Sequence, residues 1–486
     1  MATFNLIRNS RVFFTTLVDA TTGVINTGGI ITSSNTFELQ VLDGFSFSQG
    51  TNQATIQISE SGNTPTRGQR SFNTALNAVD FSFSTYVRPI NNATVVSAEE
   101  KVLWNALMSA APIDTTGTTF ASTTLSRATT LTNVATIVKT STDMTAAGFA
   151  INDWVNVKGA TGTNAEAWNS QAQITNLQPS ATACTTITLA YAVAPVATAT
   201  TAATGATIAL WKGAWVAQPA AGSAVTRAQV SSAGSNKNQL QKFGMYFLVD
   251  NLLYAVDNCA LDQASIDFGL DGIATIAWTG KATALRQLPS TAVVSSANPA
   301  VFSGAGNATG TAAAKETNAQ YITNKLSSMT LIAGIQGVTS GTTYSIPLTG
   351  GNLTYANNIN YVIPANLGVV NTAIGYFTGS RNISGNVTAY LRTGTTGSAQ
   401  LLADILAGTA TTSETKFRMQ IEVGGASNTV HVDLDIKGAE LQVPSISTGD
   451  VMSVTINFTA QGFDPVLATN TYDLAQTNDL TVTYYA

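Results

Sequence analysis

A strand, a turn and a helix occur twice in this sequence, and this repeat constrains the fold more than any other feature. The first occurrence is in residues 77–110. From Val79 to Arg88, apolar and polar side chains alternate with a period of two, which is typical of a strand. Pro89 ends this strand because proline has no N–H to donate to a neighbouring strand. Ser97 and Glu100 then have the spacing of a capping box and predict the start of a helix.

The second occurrence, in residues 382–409, repeats the strand at an offset of 304 residues and the helix at an offset of 299, since its turn is five residues shorter. The matched positions are Tyr86 and Tyr390, Arg88 and Arg392, and Leu107 and Leu406. Upstream, residues 43–52 resemble residues 351–360 at an offset of 308. A strand, a turn and a helix matched in order indicate duplication more strongly than one matched dipeptide.

The match also continues downstream, at a smaller offset. Residues 242–249 resemble residues 416–423 at an offset of only 174, and Val256-Asp257 and Val432-Asp433 follow them. The fall from 299 to 174 leaves 125 additional residues in the first occurrence. The sequence therefore predicts one β-rich domain used twice, with an insert in its first use.

These offsets predict the boundaries of four segments. The segments are copy one in residues 1–114 and 218–290, the insert in residues 115–217, a linker in residues 291–319, and copy two in residues 320–486. The insert has its own short strands, the pattern of a small barrel or sandwich, and they begin near Asp153, Ala172, Thr185 and Ala206. The linker is rich in Ala, Ser, Thr and Gly, and as a flexible coil it would span on the order of 30 Å.

Charge is scarce in this chain. Charged residues make up 10% of the 486 residues, against roughly 25% in ordinary globular proteins. The net charge is −5, and no cluster of Lys and Arg points to tight binding of a phosphate backbone. Such a composition suits a protein that packs against copies of itself.

The sequence offers little sign of secretion, a disulfide framework or a membrane span. The apolar run at Val12-Phe13-Phe14 is too short for a signal peptide and fits a first strand. The uncharged stretch 167–211 contains Pro195, Gly205 and many Thr, which argue against a spanning helix. Cys184 and Cys259 are predicted to be buried free thiols.

One strand carries the single histidine beside two carboxylates. His431 shares a face with Asp433, Asp435 and Lys437, an arrangement compatible with a metal site or with acid–base chemistry. A polar face toward solvent or a polar channel is the favoured interpretation, because the matching strand of copy one has Asp257 but no histidine. We therefore expect no catalytic, metal or cofactor site, and no cofactor.

Three stretches of the sequence resemble bacteriophage tail tube proteins, also called major tail proteins. They are RNSRVFF, DFSFSTYVRP followed by AEEKVLWNALM, and ISGNVTAYLR followed by AQLLADIL. The resemblance implies a mainly β fold: two tandem tail-tube-like β-sandwich domains, each with a flanking helix. The insert resembles a small β module found between the tube halves of such proteins.

The resemblance also implies an assembly. Tube domains close into rings whose strands join in an inner barrel, and stacked rings form the conduit for the genome. In members with two fused domains, three chains form a ring of approximate sixfold symmetry. The implied partners are further copies of the chain and the tape measure, terminator and distal tail proteins. Double-stranded DNA passes without specific binding, and no membrane takes part.

The resemblance further implies a place in the virion, after synthesis in the host cytoplasm without a signal peptide. Acidic side chains on the conduit wall would repel passing phosphates, and Asp433 and Asp435 are the candidates to face the lumen. The insert is expected to have its two ends close together and to project from the outer wall, since it lies between a helix and a strand that are neighbours in copy two.

Two other classes of protein stay open at this point. One is another virion structural protein, such as a decoration protein or an adhesin, which would form no hollow rings. The other is a β-sandwich carbohydrate-binding protein or hydrolase, which would lose its activity when Asp433 or Asp435 is changed.

Overall fold

The computed structural model describes most of the chain, and every structural statement below refers to the described residues. They are residues 10–42, 44–57, 69–91, 96–109, 118–127, 134–139, 149–151, 153–160, 168, 171–179, 184–191, 201–212, 214–219, 225–231, 240–249, 252–288, 302, 321–333, 342–367, 370–409, 416–425, 430–448, 451–460 and 479–486. The predicted linker lies outside them except for Phe302.

Strands dominate the described residues, which also include the two α-helices whose ranges are given below. Copy one begins with β1 (Ser10–Thr15), β2 (Thr36–Leu39), β3 (Ser46–Gln57), β4 (Gln69–Tyr86), β5 (Pro89–Asn91), β6 (Val96–Ala98) and helix α1 (Lys101–Met108). The insert contains β7 (Thr118–Arg127), β8 (Val134–Val138), β9 (Trp154–Lys158), β10 (Gln171–Gln178), β11 (Thr186–Tyr191) and β12 (Thr201–Trp211). Copy one then resumes with β13 (Trp215–Pro219), β14 (Val225–Ser231), β15 (Phe243–Val249), β16 (Leu252–Asp267), β17 (Thr275–Ala282) and β18 (Ala284–Leu288).

Copy two repeats this β-rich pattern. A 3₁₀ turn at Asn324–Leu326 precedes β19 (Ser328–Ala333), β20 (Thr343–Ala356), β21 (Asn360–Val362), β22 (Asn371–Thr372), β23 (Gly375–Phe377), β24 (Asn382–Tyr390), helix α2 (Ser398–Thr409), β25 (Lys416–Val423), β26 (His431–Leu441), β27 (Ser445–Ser447), β28 (Ser453–Ala460) and β29 (Thr481–Tyr485). The predicted fold class, mainly β with a flanking helix in each copy, is confirmed.

Each copy consists of an outer and an inner sheet. In copy one the outer sheet has the order β2–β1–β15–β16–β18 and the inner sheet the order β3–β4–β17–β16. In copy two the corresponding orders are β20–β19–β25–β26–β29 and β20–β24–β28–β27. β20 is continuous across both sheets, whereas copy one divides the same path between β2 and β3.

Strand registers repeat between the copies. Tyr86 lies opposite Thr275, and Tyr390 lies opposite Ser453 at the same place in copy two. The pairing of β15 with β16 shifts after Phe243, and that of β25 with β26 shifts after the equivalent phenylalanine. A bulge kept at the same position supports a duplicated fold more strongly than strand number alone, because bulges are specific local features.

Two of the offsets inferred from the sequence are wrong by a few residues. Met245 lies opposite Val256, whereas its counterpart Met419 lies opposite Ile436, so β26 follows β16 at an offset of 180 rather than 176. The part of β20 that pairs with β24 likewise follows β3 at an offset of 306 rather than 308. A strand pattern with a period of two looks alike after a shift of two or four residues, so the sequence does not fix these registers.

β4 shows the predicted alternation. Val79, Phe81 and Phe83 are at most 3% exposed and point into the core, while Ser82 and Asp80 point to the other face. Burying each phenylalanine contributes on the order of 1.5–3 kcal/mol, which fixes the face and the register of the strand.

The inner sheets of the two copies meet edge to edge. β16 pairs with β20 in antiparallel fashion, with Gln263 opposite Ala356 and Asp267 opposite Asn352. Eight strands, in the order β3–β4–β17–β16–β20–β24–β28–β27, therefore form one continuous sheet. A single hydrophobic cluster with residues of both copies lies beneath it.

The insert is a closed barrel with its own core. Its six strands pair in the order β10–β11–β8–β7–β12–β9, and the predicted strands near Asp153, Ala172, Thr185 and Ala206 correspond to β9 to β12. A separate hydrophobic cluster fills it. Leu210 pairs with Thr118, so the chain enters and leaves the barrel at one place. β13, whose first residues the predicted boundary assigns to the insert, pairs with β14 outside the barrel.

Helix α1 begins three residues later than the capping-box prediction implies. Ser97 lies in β6 opposite Ile90, and its side chain does not cap the helix. The helix starts at Lys101 after Glu100, whose side chain bonds elsewhere. All eight residues of α1 are buried, so packing rather than capping holds this helix in place.

Candidate functional surface

Short polar side chains cover the face of the eight-strand sheet that is turned away from the core, which we call the open face. We define it by the segments 46–48, 80–86, 262–267, 275–281, 352–356, 384–390, 445–447 and 453–459. One row across the strands contains Ser84, Ala277, Ser265, Thr354, Ser384 and Thr459. The next row contains Tyr86, Thr275, Asp267, Asn352, Asn386 and Asn457.

Many of these polar groups bond to one another across the strands. The hydroxyl oxygens of Ser46 and Ser82 are 2.8 Å apart, and Ser265 Oγ is 3.0 Å from Thr354 Oγ1. Thr388 Oγ1 donates a hydrogen bond of 3.1 Å to a backbone carbonyl oxygen. The open face is thus a surface of neutral hydroxyl and amide groups, many of which are hydrogen-bonded to neighbouring strands of the same sheet.

Few side chains in these segments are charged, and most of the charged ones are acidic. They are Asp80, Asp262, Asp267 and Lys281. Lys281 Nζ lies 3.4 Å from Asp80 Oδ1, and both side chains are exposed, so this pair contributes little to stability. The acidic balance agrees in sign with the expected conduit wall.

The two ends of the eight-strand sheet are open edges. In the part of the chain that the structure describes, β3 pairs only with β4, and β27 pairs only with β28. An open edge presents unpaired N–H and C=O groups to another chain. Neither edge was identified from the sequence, although the predicted duplication implies that the two copies share one kind of contact.

The contact between the copies is a template for those edges. β16 and β20 are the counterparts of β27 and β3, by the offsets of 180 and 306. Ser265 lies opposite Thr354 at the internal contact. The positions that correspond to this pair at the open edges are Ser445 and Ser48.

The structure places Asp433 and Asp435 on the outer sheet of copy two, not on the open face. They are 7% and 9% exposed. Arg418 donates two hydrogen bonds to Asp435, of 3.1 and 3.0 Å, and Gln420 donates one of 3.1 Å to Asp433. Such buried and bonded carboxylates support the sheet itself, and their predicted position on the lumen stays a prediction.

The histidine beside them belongs to the same polar group. His431 stacks on Tyr485 at 4.2 Å, and its Nε2 lies 3.7 Å from Asp433 Oδ1. Burial raises the pKa of Asp433 to about 6, with nearby Glu422 raising it further and His431 opposing the shift. No group of three or more His, Cys, Asp or Glu side chains in the described ranges is arranged to hold a metal ion.

The matched arginines have different surroundings. Arg88 is 4% exposed, bonds to Glu99 at 3.2 Å and lies 4.8 Å from the ring centre of Tyr321. Arg392 is exposed, and its backbone N–H donates to Ser398 Oγ at the start of α2. The sequence predicted two equivalent turns, but the two arginines differ in burial and in the contacts that they make.

At the other matched positions, too, the side chain of copy one is more buried than that of copy two. Leu107 is fully buried in α1, whereas Leu406 in α2 is 49% exposed. Tyr390 is 50% exposed, whereas Tyr86 is partly buried and meets Tyr321 edge to face. The backbone of the repeat is conserved between the copies, but copy two leaves its helix and turn open.

A buried chain of hydrogen bonds joins the two copies. Trp104 Nε1 donates to the Tyr484 hydroxyl at 2.8 Å, and that hydroxyl donates to Glu100 Oε1 at 2.7 Å. Burial raises the pKa of Glu100 to about 7. The helix of copy one is thereby attached to the last strand of copy two. Periodicity did not point to this contact, because its partners are far apart in sequence.

Both cysteines, Cys184 and Cys259, are buried thiols that take part in no disulfide, as predicted. In the ranges that the structure describes, no helix has the length and apolar character needed to cross a membrane.

Comparison with known proteins supports one family. No protein-family model matches the chain. A curated protein similar to it is the tail tube protein pb6 of Escherichia phage T5, which is 24% identical over 465 residues. The match covers 94% of this chain and 72% of that protein. It supports the resemblance to phage tail tube proteins drawn from the sequence motifs, and with it a structural role.

Proposed function

Given the structural role in a phage tail tube that this similarity supports, we propose that three chains close into a ring. Each chain contributes the eight strands of its continuous sheet, so a closed ring would hold 24 strands. The symmetry is threefold and only approximately sixfold, because the two copies differ in sequence. Stacked rings then form the tube, in the virion.

The observation that carries this proposal is the internal contact of β16 with β20. At this contact a strand of one copy pairs with a strand of the other, so that the sheet continues without a gap. The counterparts of these two strands, β27 and β3, are the open edges at the two ends of the eight-strand sheet in the described part of the chain. Ring closure covers both edges with the same kind of contact, and closure removes an edge altogether.

We infer that the open face lines the conduit. DNA binding draws most of its affinity from Lys and Arg that neutralise phosphates, and Lys281 is the only cation in the segments that form this face. Neutral hydroxyl and amide rows with a small acidic excess allow the duplex to pass without being held. We propose Asp80, Asp262 and Asp267 as acidic side chains of this wall, because they belong to the open face, whereas Asp433 and Asp435 lie on the outer sheet.

The domain boundaries also belong to the proposal. Copy one, the insert, the linker and copy two keep the boundaries predicted from the sequence, except that the insert ends at Trp211. The observation behind this change is that β13 pairs with the sheet of the two copies through β14 and β29. The insert projects from the outer wall, at every second place around the ring.

The role proposed here is structural, without catalysis or cofactor. Partners are other copies of the chain and other tail proteins, including tape measure, terminator and distal tail proteins. Synthesis takes place in the host cytoplasm.

A cysteine pair tests the ring contact at the level of register. The internal template puts Ser48 of one chain opposite Ser445 of the next, with Cβ atoms of directly opposed residues about 4.5–5.5 Å apart. We expect the variant with Ser48→Cys and Ser445→Cys to form disulfide-linked trimers under mild oxidation.

Two matched controls accompany this cross-linking experiment. Ser48→Cys or Ser445→Cys alone should give no ladder, because Cys184 and Cys259 are buried. Ser48→Cys with Met452→Cys, which places the second thiol on the turn before β28, should also stay monomeric. Linked hexamers, or no intermolecular disulfide in assembled protein, would contradict the proposed ring.

A further inference from the structure

Among the described residues, a hairpin of copy one extends beyond the sheet with no further strand paired to it; at its base, β22 of the same chain pairs with Ala75 and Leu76 of β4. We call residues 51–57 and 69–74 the arm; they continue β3 and β4 past the core, and almost all of their side chains are exposed. Ala54 pairs with Phe72, and Ile56 pairs with Arg70, so these four side chains share one face. Ile56 is 48% and Phe72 is 51% exposed.

The other face of the arm is polar. It carries Gln53, Thr55, Ser71 and Asn73, and Gln53 Nε2 donates to Asn73 Oδ1 at 3.0 Å. Apart from Arg70 near its far end, the first face is apolar. An exposed hairpin with a mostly apolar and a polar face has the pattern of a surface that packs on its apolar side.

Copy two uses the equivalent stretch of chain to cover copy one. Directly after β20, Asn357 Nδ2 donates to the carbonyl oxygen of Leu107 at the end of α1, at 2.9 Å. Ile359 is 2% exposed and packs against Ala260 of β16. The Tyr361 hydroxyl then donates to the carbonyl oxygen of Lys281 at 3.0 Å. The internal contact therefore has two parts, a paired edge and a cover over the helix end.

Among the residues that the structure describes, the corresponding surface of copy two is exposed. Leu406 is the counterpart of the fully buried Leu107 and is 49% exposed. Val443, next to the open edge at β27, is 47% exposed. Thr459, the counterpart of Lys281 by the pairing of β28, is exposed as well.

The proposed ring contact brings the arm to this surface. By the register of the internal template, Gly50 at the base of the arm lies opposite Val443 of the neighbouring chain. The arm continues from that point in the direction that residues 357–362 take over copy one. Its apolar face is the part of copy one available to cover Leu406.

We propose that the arm of each chain docks by its Ile56 and Phe72 face on copy two of the neighbouring chain, over the end of α2 and Val443. The occupant is a second copy of this chain in the same ring, and the inference rests on the ring closure proposed above. The arm thus performs between chains what residues 357–362 perform within one chain.

Photochemical cross-linking in assembled tubes tests the docking. The photoreactive amino acid benzoylphenylalanine is placed at Phe72, on the apolar face, or at Asn73, on the polar face, as the matched control. We expect the Phe72 probe to join a peptide of a neighbouring chain that contains residues 398–409 or 438–443, identified by mass spectrometry. The Asn73 probe should not join these peptides.

The Ser48 and Ser445 cysteine pair is measured in the same assemblies, so the two ideas fail separately. If the disulfide forms but the Phe72 probe joins other peptides, of the adjacent ring or of its own chain, the docking is wrong and ring closure stands. If the disulfide does not form, both are wrong.

A negative charge placed on either face of the arm gives a second test of the docking. Phe72→Asp should raise the critical concentration for tube assembly by about tenfold or more, because it removes the burial of an aromatic side chain. Asn73→Asp adds the same charge on the polar face and should leave that concentration within about twofold. Both unassembled variants should keep the unfolding temperature of the parent, since the arm lies outside the core. Equal effects of the two substitutions would overturn the docking.

Discussion

The outer sheets of the two copies have the same strands but opposite chemistry. In copy one the outward face is apolar and is covered by Ile25, Ile31 and Phe302, with Phe302 stacked on Phe13 at 3.9 Å. In copy two the equivalent face is polar and ion-paired. The corresponding residues are Tyr246 and Gln420, Leu248 and Glu422, Leu253 and Asp433, and Ala255 and Asp435.

This difference shows which part of the repeat determines the fold. The side chains that face inward stay apolar in both copies, as Val256 and Ile436 do, because a shift of one residue would expose all of them. The outward face of the outer sheet can differ between the copies, since each copy packs this face against different side chains. Substitutions at equivalent positions should therefore have unequal effects.

The largest difference is expected at Leu253 and Asp433. Leu253→Asp places a carboxylate among apolar groups at a fully buried position and should lower the free energy of unfolding by at least about 5 kcal/mol. Asp433→Leu removes a group bonded to neutral Gln420 and should cost about 1 kcal/mol. Urea unfolding of the unassembled chains measures both, and equal losses would show that the two faces are alike.

The two helices should respond almost as unequally. Trp104 is fully buried and meets Trp278 edge to face at 5.1 Å, so Trp104→Ala should cost about 4 kcal/mol. Leu406→Ala on the exposed side of α2 should change the unassembled chain by less than about 0.5 kcal/mol. A large loss from Leu406→Ala in the monomer would mean that α2 is packed like α1.

The hydrogen-bond chain at Glu100 has no counterpart in copy two, where Ala399 takes its place, and it predicts a pH dependence. The pKa of Glu100 is raised in the folded chain from 4.5 to about 7, so the folded state binds the proton more tightly than the unfolded state. Stability is then fully present below about pH 4.5 and falls by roughly 3 kcal/mol as the pH rises through 7.

Glu100→Gln keeps the shape and the acceptor oxygen but does not titrate. The slope of stability against pH between 5 and 8 should be shallower in this variant, as measured by unfolding at each pH. Asp433, whose pKa is raised to about 6, contributes the same sign in both proteins and cancels in the comparison. Parallel slopes would remove Glu100 as the cause.

The smallest effect is expected from removal of the insert. Its barrel has a separate core and its ends are paired, so replacing residues 115–211 by a short Gly-Ser bridge should cost less than about 1 kcal/mol. Replacing residues 115–217 also removes most of β13 and should destabilise more. Circular dichroism and electron microscopy measure folding and tube formation. An unfolded 115–211 deletion would show that the barrel supports the core.

Much of the fold follows from the sequence because the signal is local. The alternation in β4, the two helices and the four later strands of the insert all came from periodicity, and each is present. The registers did not, because a period of two leaves shifts of two and four residues equally acceptable. Ser97 failed as a cap since pairing of β5 with β6 took its backbone into a ladder.

The candidate surface was harder to predict for a different reason. Asp433 and Asp435 looked like solvent-facing acids from alternation alone, which shows that two residues share a face but not what lies over that face. Most side chains of the open face are Ser, Thr and Asn, which stand out in no motif. Only the pairing of β16 with β20 joins them into one surface, and that pairing links residues about 90 positions apart.

Image averaging of a tube cross-section tests the central claim most directly. The account predicts three chains per ring, 24 strands around the lumen, and three projecting barrels at alternate places. A ring of six whole chains, or a chain that stays monomeric at high concentration, would contradict it.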